Sequence, residues 1–235
     1  MGLLDTFDGL ESRTIFCLWT GDEIMSENRL IALWSIFNNT GVSIAFVTKN
    51  NMQTWEHPQH KFHPAFKYLS STHKADYLRC YLMHIYGGGY TDIKKTYTNW
   101  AQYFDIIHKS HKIALGYEEL AHGIPHVPGT YGDMIRSAHS ELIGLCAFIF
   151  KKNTYLTHDW LIKTEQVLDE KLPLLEKNPA QHPLDQKGVI LPNGTYSEYP
   201  LRWAEILGEI FHPIIYENRG MLIKAPINPV FTNYR

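Results

Sequence analysis

Two acidic residues and an arginine lie on either side of three consecutive glycines in "ADYLRCYLMHIYGGGYTDIKK" (75–95). Asp76 and Arg79 are three residues apart, so on a helix their side chains emerge on the same face. A carboxylate beside a guanidinium presents acceptors and forked donors together, which suits a ligand with many hydroxyl groups. The alternative is a weakly stabilising surface ion pair, and the spacing alone does not separate the two.

The glycines favour a site over a surface pair. One glycine is enough to end a helix, so three in succession indicate backbone with positive φ or the close approach of another group. The residues "YTDIKK" that follow predict a short strand with Asp92 at its end, near Asp76 and Arg79. A carboxylate in that position can bind a metal ion or a ribose hydroxyl.

The amino-terminal part of the chain predicts the sheet that positions these residues. Apolar runs at 13–19 and 42–48 are separated by a helical pattern, which indicates a strand–helix–strand unit with a right-handed crossover. Ligands of such sheets bind beyond the carboxyl ends of the strands. Trp19, Thr20 and Thr48 are therefore predicted to line the mouth of a site.

Periodicity and turn residues predict the remaining elements. The expected helical stripes are Leu30, Leu33, Trp34 and Phe37, then Ala75, Leu78, Leu82 and Ile85, then Trp203, Ile206, Leu207 and Ile210. Helices are expected at 70–86, 154–177 and 199–213, and further strands at 111–117 and 141–152. The Gly- and Pro-rich stretches 123–132 and 178–196 are of the size of active-site loops.

Composition restricts the class of protein. The 235 residues are 44% apolar and 20% charged, as in a globular domain and unlike a disordered chain. The net charge of −2 predicts no nucleic-acid partner. No apolar run reaches about 18 residues, which predicts no membrane span. Three scattered cysteines without C-x-x-C spacing indicate reduced thiols and a cytoplasmic location.

The stretch 75–96 resembles the sugar-binding region of DxD-type glycosyltransferases. This group includes yeast-type mannosyltransferases, capsular polysaccharide synthesis transferases, glucosylating clostridial toxins and virus-encoded relatives, with a pattern of roughly S/A-D-x-x-R, an apolar helix and G-G-x-Y-x-D-x-D. "IFCLWTG" (15–21) is similar to its I-W-x-G segment. The resemblance implies one GT-A, Rossmann-like α/β domain over 1–235, with a mostly parallel sheet flanked by helices. Residues 13–120 would form the nucleotide-sugar half and 121–235 the acceptor half.

The resemblance also implies roles for individual residues. Trp19 matches the tryptophan that stacks on the nucleotide base, although a core position is the alternative. Asp76 and Arg79 match the pair that binds the donor sugar and its phosphate side. Asp92 matches the first acid of DxD, which contacts the sugar or ribose and helps to hold the metal. The other expected donor contacts are Thr20, Thr48, Gly88, Gly89, Lys95 and Arg202.

One departure from the family pattern changes the expected chemistry. Lys94 stands where the family has its second acid, the direct metal ligand, and a charged ammonium cannot ligate Mn²⁺ or Mg²⁺. A fixed cation can instead neutralise the diphosphate leaving group, so we expect Lys94 or Lys95 to take over part of that charge. Two alternatives stay open: a metal held by Asp92, water and diphosphate, or a site without activity.

Weaker candidates lie in the second half of the chain. Asp185 is predicted to orient or deprotonate an acceptor hydroxyl, with a turn-forming role as the alternative. Glu118 and Glu119 have the same two interpretations, as acceptor-site acids or as a solvated edge. Arg202 and His212 are candidates for the diphosphate, and His212 for a metal, although Arg202 is also placed to snorkel from a core helix.

The predicted function is transfer of a sugar from a UDP- or GDP-sugar to a glycan acceptor, in polysaccharide or glycoprotein-glycan synthesis. The resemblance suggests retention of anomeric configuration, which the capsule-type relatives leave open. The alternative is a non-catalytic module that binds a nucleotide sugar or a glycan. A nicotinamide-dependent oxidoreductase is disfavoured because no G-x-G-x-x-G follows the first predicted strand.

Overall fold

One six-stranded sheet runs through the computed structural model, which describes residues 13–191 and 193–234. Its strands are β1 (Thr14–Trp19), β2 (Ser43–Thr48), β3 (Gly88–Thr91), β4 (Ala114–Glu118), β5 (Ile143–Phe150) and β6 (Leu222–Lys224), in the spatial order β2-β1-β3-β5-β4-β6. Only β5 runs against the direction of its neighbours. The predicted mostly parallel sheet is thereby confirmed, while residues 1–12 of the predicted domain lie outside the described residues.

Helices cover both faces of the sheet. They are α1 (Glu27–Asn39), α2 (Ser71–Ile85), α3 (Ala101–Lys109), α4 (Gly129–Ser137), α5 (Tyr155–Lys177) and α6 (Gly208–Glu217). Buried residues of α2, α5 and α6 pack in one core, and those of α1 and α3 pack in another. Successive residues of β1 alternate between the cores, with Phe16 in the first and Ile15 in the second. Because both faces of β1 are covered, its sequence is a nearly continuous apolar run rather than an alternation of apolar and polar residues.

The three glycines serve the reversal from α2 into β3. Gly87 and Gly88 have φ values of 65° and 91°, a conformation that favours glycine. A Cβ at Gly87 would lie 2.7 Å from the backbone nitrogen of Lys152. The expected positive φ and close approach are both present. Gly88 and Gly89 lie at the amino end of β3, opposite the edge that Asp92 reaches.

Two predicted elements differ from the structure. The last helix begins at Gly208 rather than at residue 199, and it continues through Pro213. The residues before it have irregular backbone, in which Tyr199 and Leu201 are buried in the core. Trp203, expected in the core, is 45% exposed. The predicted stripe of α1 is wrong at three of its four positions, since Leu30, Trp34 and Phe37 face outward. Leu33 packs against the core beside the buried Ala32 and Ile36.

Two of the observed helices were not predicted. Helix α3 buries only Phe104 and Ile107 against the sheet, and α4 buries only Gly132 and Ile135. Two buried positions per helix are too few to produce a clear helical periodicity of apolar residues in the sequence. Within the described residues, no helix combines the length and the apolar character that a membrane crossing requires.

Gly89→Ala is expected to destabilise the protein by about 1–3 kcal/mol through overpacking. Its Cβ would lie 3.0 Å from Cγ1 of Ile15 and 3.3 Å from the rings of Phe104 and Trp100. Urea unfolding measures the effect. Gly220→Ala is the control, because nothing lies within 4 Å of its Cβ position. Equal stability of the two variants would contradict the packing role of Gly89.

Candidate active site

The carboxyl ends of β1, β2 and β3 bring the predicted residues to one edge of the sheet. Trp19 ends β1, Thr48 ends β2, and Asp92 directly follows β3. The three strands are parallel, with β1 in the middle. Helix α2 starts near this edge, since the hydroxyl of Thr20 donates to the carbonyl of Ser71 at 2.6 Å.

Arg79 joins the two predicted acids. Its NH2 atom lies 3.6 Å from Oδ1 of Asp76 and 3.2 Å from Oδ1 of Asp92. Asp76 is 2% exposed and the Arg79 side chain 12%, so the cluster is not a surface ion pair. The guanidinium lies 4.6 Å from the centre of the Tyr90 ring. Its buried Nε has no hydrogen-bond partner among the described residues, which leaves one charged N–H available.

Lys94 is the second cation of the cluster. Its Nζ lies 2.7 Å from Oδ2 of Asp92 and 3.1 Å from Sγ of Cys146. The rings of Phe231 and Tyr234 have their centres 5.1 Å and 4.9 Å from the ammonium. The Lys94 side chain is therefore 8% exposed and is fixed between an anion and two aromatic faces.

The protonation states follow from this packing. Burial opposes the charge of Asp92, but Arg79 and Lys94 hold the pKa of its carboxyl well below the usual range. Burial also opposes the charge of Lys94, yet Asp92 raises the pKa of that ammonium. Asp76 behaves differently, because burial outweighs the attraction of Arg79 and raises its pKa to about 7. Near neutral pH the cluster thus carries a charge between zero and plus one.

Asp92 is a poor direct ligand for a divalent ion in this arrangement. Its Oδ1 accepts from the Tyr90 hydroxyl at 2.6 Å and faces Arg79, while its Oδ2 accepts from Lys94. Among the described residues, no three His, Cys, Asp or Glu side chains converge as a metal site requires. The residues present do not fit a directly coordinated metal ion, and the ammonium of Lys94 lies against the carboxylate instead.

The outer residues of the predicted donor site have mainly local contacts. The half-buried Trp19 donates from its ring nitrogen to the Glu23 carbonyl at 2.8 Å. The backbone N–H of Thr48 donates to Asn51 Oδ1 at 2.7 Å. The backbone carbonyl of Lys95 accepts from Val230, which ties the carboxyl-terminal residues to this corner.

Asp185 lies beside the start of α2. The backbone N–H of Thr72 donates to the Pro183 carbonyl at 3.2 Å, which docks this loop on the helix that carries Asp76. Asp185 is fully buried, and its Oδ2 accepts from the backbone of Gln181 at 2.9 Å. Its buried Oδ1 has no partner among the described residues. An unpaired buried carboxylate oxygen is costly, so Asp185 remains a candidate for contact with a ligand.

A network around His73 supports this loop, and sequence reasoning missed it. The His73 ring lies 3.1 Å from the Tyr199 hydroxyl and 3.1 Å from the Arg202 carbonyl. Burial lowers the pKa of His73, so its ring is neutral near pH 7. The contacts join residues about 130 positions apart in the sequence, so the local pattern "STHKAD" (71–76) could not predict them.

The other predicted residues of the second half do not join the cluster. Arg202 pairs with Glu205 and Glu209 at 3.1 Å and 2.5 Å. His212 is fully buried, with Nε2 2.9 Å from Oε2 of Glu119 and Nδ1 3.1 Å from the Gly208 carbonyl. Both ring nitrogens of His212 are thus committed to protein partners.

No protein-family model matches the chain, and no curated protein matches it. A solved structure named "PaToxG Glycosyltransferase" is similar, with 15% identity and a TM-score of 0.44 over 71% of this chain. The chain covers 64% of the length of that protein. A likeness at this level does not identify the function, which has to be inferred from the site.

The raised pKa of Asp76 predicts a pH dependence of stability. A carboxyl with a folded-state pKa above its unfolded value of about 3.9 contributes stability that is complete below pH 3.9. That contribution is lost as the pH rises through about 7. Asp76→Asn should therefore gain about 2–4 kcal/mol relative to the wild type between pH 5 and pH 8.

Urea unfolding at half-unit pH steps measures this difference. Asp92 does not interfere, because its lowered pKa keeps it ionised in this range. Asp133→Asn, at a side chain that is 78% exposed, is the control and should run parallel to the wild type. A constant difference between Asp76→Asn and the wild type would contradict the raised pKa.

His212→Leu is expected to lower the free energy of unfolding by about 3–5 kcal/mol, because it leaves the buried carboxylate of Glu119 without its histidine partner. Glu119 is 3% exposed. The exposed His122 provides a matched control in His122→Leu. Similar thermal and urea unfolding of the two variants would show that the buried pair does not support the fold.

Proposed function

We propose that this protein is a glycosyltransferase that moves a sugar from a UDP- or GDP-sugar to a glycan acceptor, in polysaccharide or glycoprotein-glycan synthesis. One observation carries the proposal: the buried cluster of Asp76, Arg79 and Asp92 at the sheet edge, in which the Nε of Arg79 has no hydrogen-bond partner in the described part of the chain. Parallel sheets bind their ligands at this edge. The motif resemblance described above supports the same assignment.

Asp76 and Arg79 would orient the donor sugar. With a pKa near 7, the Asp76 carboxyl can accept a hydrogen bond from one hydroxyl or donate one to another. The free Nε–H of Arg79 adds a charged donor. Asp92 Oδ2 accepts from Lys94, and an ionised carboxylate oxygen can accept a second hydrogen bond, here from a sugar or ribose hydroxyl. Trp19, at the end of β1, would stack on the base.

Lys94 would take the place of the metal by cancelling the negative charge of Asp92. The acceptor oxygen bonds to the anomeric carbon as the bond from that carbon to the diphosphate breaks, and the diphosphate takes the electron pair and finally the hydroxyl proton. In a site of low dielectric, nearby fixed charges stabilise the developing negative charge strongly. Phe231 and Tyr234 cover the ammonium, so Lys94 acts by cancelling the charge of Asp92 rather than by binding the phosphate directly.

Asp185 would serve on the acceptor side or hold a donor hydroxyl. Its unpartnered Oδ1 is placed near the amino end of α2, the same helix that carries Asp76. As a buried acceptor it can orient a hydroxyl, and an ionised carboxylate can also take a proton.

The test is calorimetric titration of the full chain with UDP-, GDP- and dTDP-sugars, each with Mn²⁺ and with EDTA. We expect one donor to bind equally well in EDTA, because Lys94 already compensates Asp92. Lys94→Met should weaken that binding at least about tenfold, or about 1.4 kcal/mol, and Mn²⁺ should restore part of it. Lys163→Met, at an exposed position of α5, is the matched control.

The other outcomes are distinguishable. Binding by the wild type only with Mn²⁺ would contradict the role of Lys94 and favour a metal held through Asp92. Binding of a donor without its hydrolysis or transfer would leave a non-catalytic binding module. Failure of every sugar nucleotide to bind, with or without Mn²⁺, would overturn the transferase proposal.

A further inference from the structure

A cleft of about 530 Å³ opens at the carboxyl ends of β4 and β6. Its main lining side chains are Tyr117, Glu118, Leu120, Lys224, Asn228 and Phe231. Strands β4 and β6 run parallel to β1 and β3, so the cleft opens on the same edge of the sheet as Asp92. Its volume is in the range of small-molecule sites.

Strand β5 separates this cleft from the cluster around Asp92. The backbone N–H of Asp92 donates to the Cys146 carbonyl at 2.8 Å, and the backbone N–H of Cys146 donates to the Tyr117 hydroxyl at 3.4 Å. On the outer side, the Phe231 ring lies 5.1 Å from Nζ of Lys94 and 5.7 Å from the Tyr117 ring. Phe231 therefore borders both sites.

The chemistry of the cleft suits an uncharged ligand with hydroxyl groups and an apolar face. Leu120 and Phe231 are 39% and 37% exposed, which provides apolar surface for a ring. Oε2 of Glu118 and Nζ of Lys224 lie 3.5 Å apart and cancel each other's charge. They still offer acceptors and donors to hydroxyls. A phosphate or a nucleic acid would meet a lysine that is already neutralised.

We propose that this cleft binds the acceptor glycan. The inference rests on the proposed function and adds the place and class of the acceptor: a neutral sugar whose ring packs on Leu120 and Phe231 and whose hydroxyls bond to Glu118 and Lys224. From there, one acceptor hydroxyl points past Phe231 towards the donor sugar beside Arg79. Transfer then proceeds by the bond changes given above, without a further reactant.

The test uses variants of two residues that line the cleft. Leu120→Ala and Glu118→Gln change exposed side chains and leave intact the hydrogen bond that the backbone N–H of Leu120 donates to the Glu119 carboxylate. The probes are methyl glycosides of glucose, galactose, mannose and N-acetylglucosamine, with lactose and maltose. Direct binding of these sugars is measured by calorimetry without donor, and transfer is measured with the donor that binds. Glu176→Gln, at an exposed position of α5, is the control.

We expect both variants to raise the Kd and the KM of the effective acceptor at least about fivefold, in line with the loss of one or two contacts of about 1 kcal/mol. The Kd of the donor should change less than twofold. A second cleft of about 390 Å³, bordered by the exposed Tyr196, supplies the competing site. A rise in acceptor KM in Tyr196→Ala, with no rise in the two variants, would overturn the proposal.

Failure of the proposed function gives a different pattern. Sugars that bind the wild type and lose affinity in Leu120→Ala, while no sugar nucleotide binds, would support a sugar site in the cleft and contradict the transferase. If the wild type hydrolyses the donor and neither variant changes the acceptor KM, the transferase is supported and the acceptor cleft is contradicted.

Discussion

The contact of the Arg79 guanidinium with Asp76 and Asp92 is the interaction on which the candidate site depends. It joins a helix to the end of a neighbouring strand, and it makes two buried carboxylates tolerable. The two acids nevertheless differ. Asp92 has a second cation and a tyrosine hydroxyl, whereas among the described residues Asp76 has the longer contact to Arg79 and no second cation. An acid that stays ionised therefore lies beside an acid that titrates near neutrality.

Lys94 changes what this corner of the sheet can hold. A pair of ionised acids at this position would attract a divalent ion. Here the ionised Asp92 pairs with the charged Lys94, so the net charge of the pair is already zero. The ammonium loses hydration when it is buried, and the carboxylate, the thiol and two aromatic rings compensate for that loss. The aromatic rings come from the carboxyl-terminal residues, which therefore belong to the electrostatics of the site.

Local patterns were enough to predict the β1–α1–β2 unit, helix α2 and the grouping of Asp76, Arg79 and Asp92, because each of these depends on neighbours in sequence. Contacts between distant residues could not be predicted in this way. The packing of Phe231 on Lys94, the pairing of His212 with Glu119 and the network of His73 with Tyr199 all depend on tertiary structure. Sequence patterns also do not show which apolar side of α1 faces the sheet, because a small residue such as Ala32 permits closer packing than Trp34.

The lengths of α2 and β3 bring Asp92 back to the level of Arg79. From Arg79 to Tyr86 the helix descends about 10 Å, at 1.5 Å per residue. From Gly88 to Asp92 the strand returns about 13 Å, at about 3.3 Å per residue. The glycine reversal between them has to be tight, which the positive φ of Gly87 and Gly88 permits. One extra residue in β3 would turn the Asp92 side chain to the other face of the sheet. The spacing of the acids around the glycines is therefore a geometric requirement of the cluster, and this is why so short a stretch of sequence identifies it.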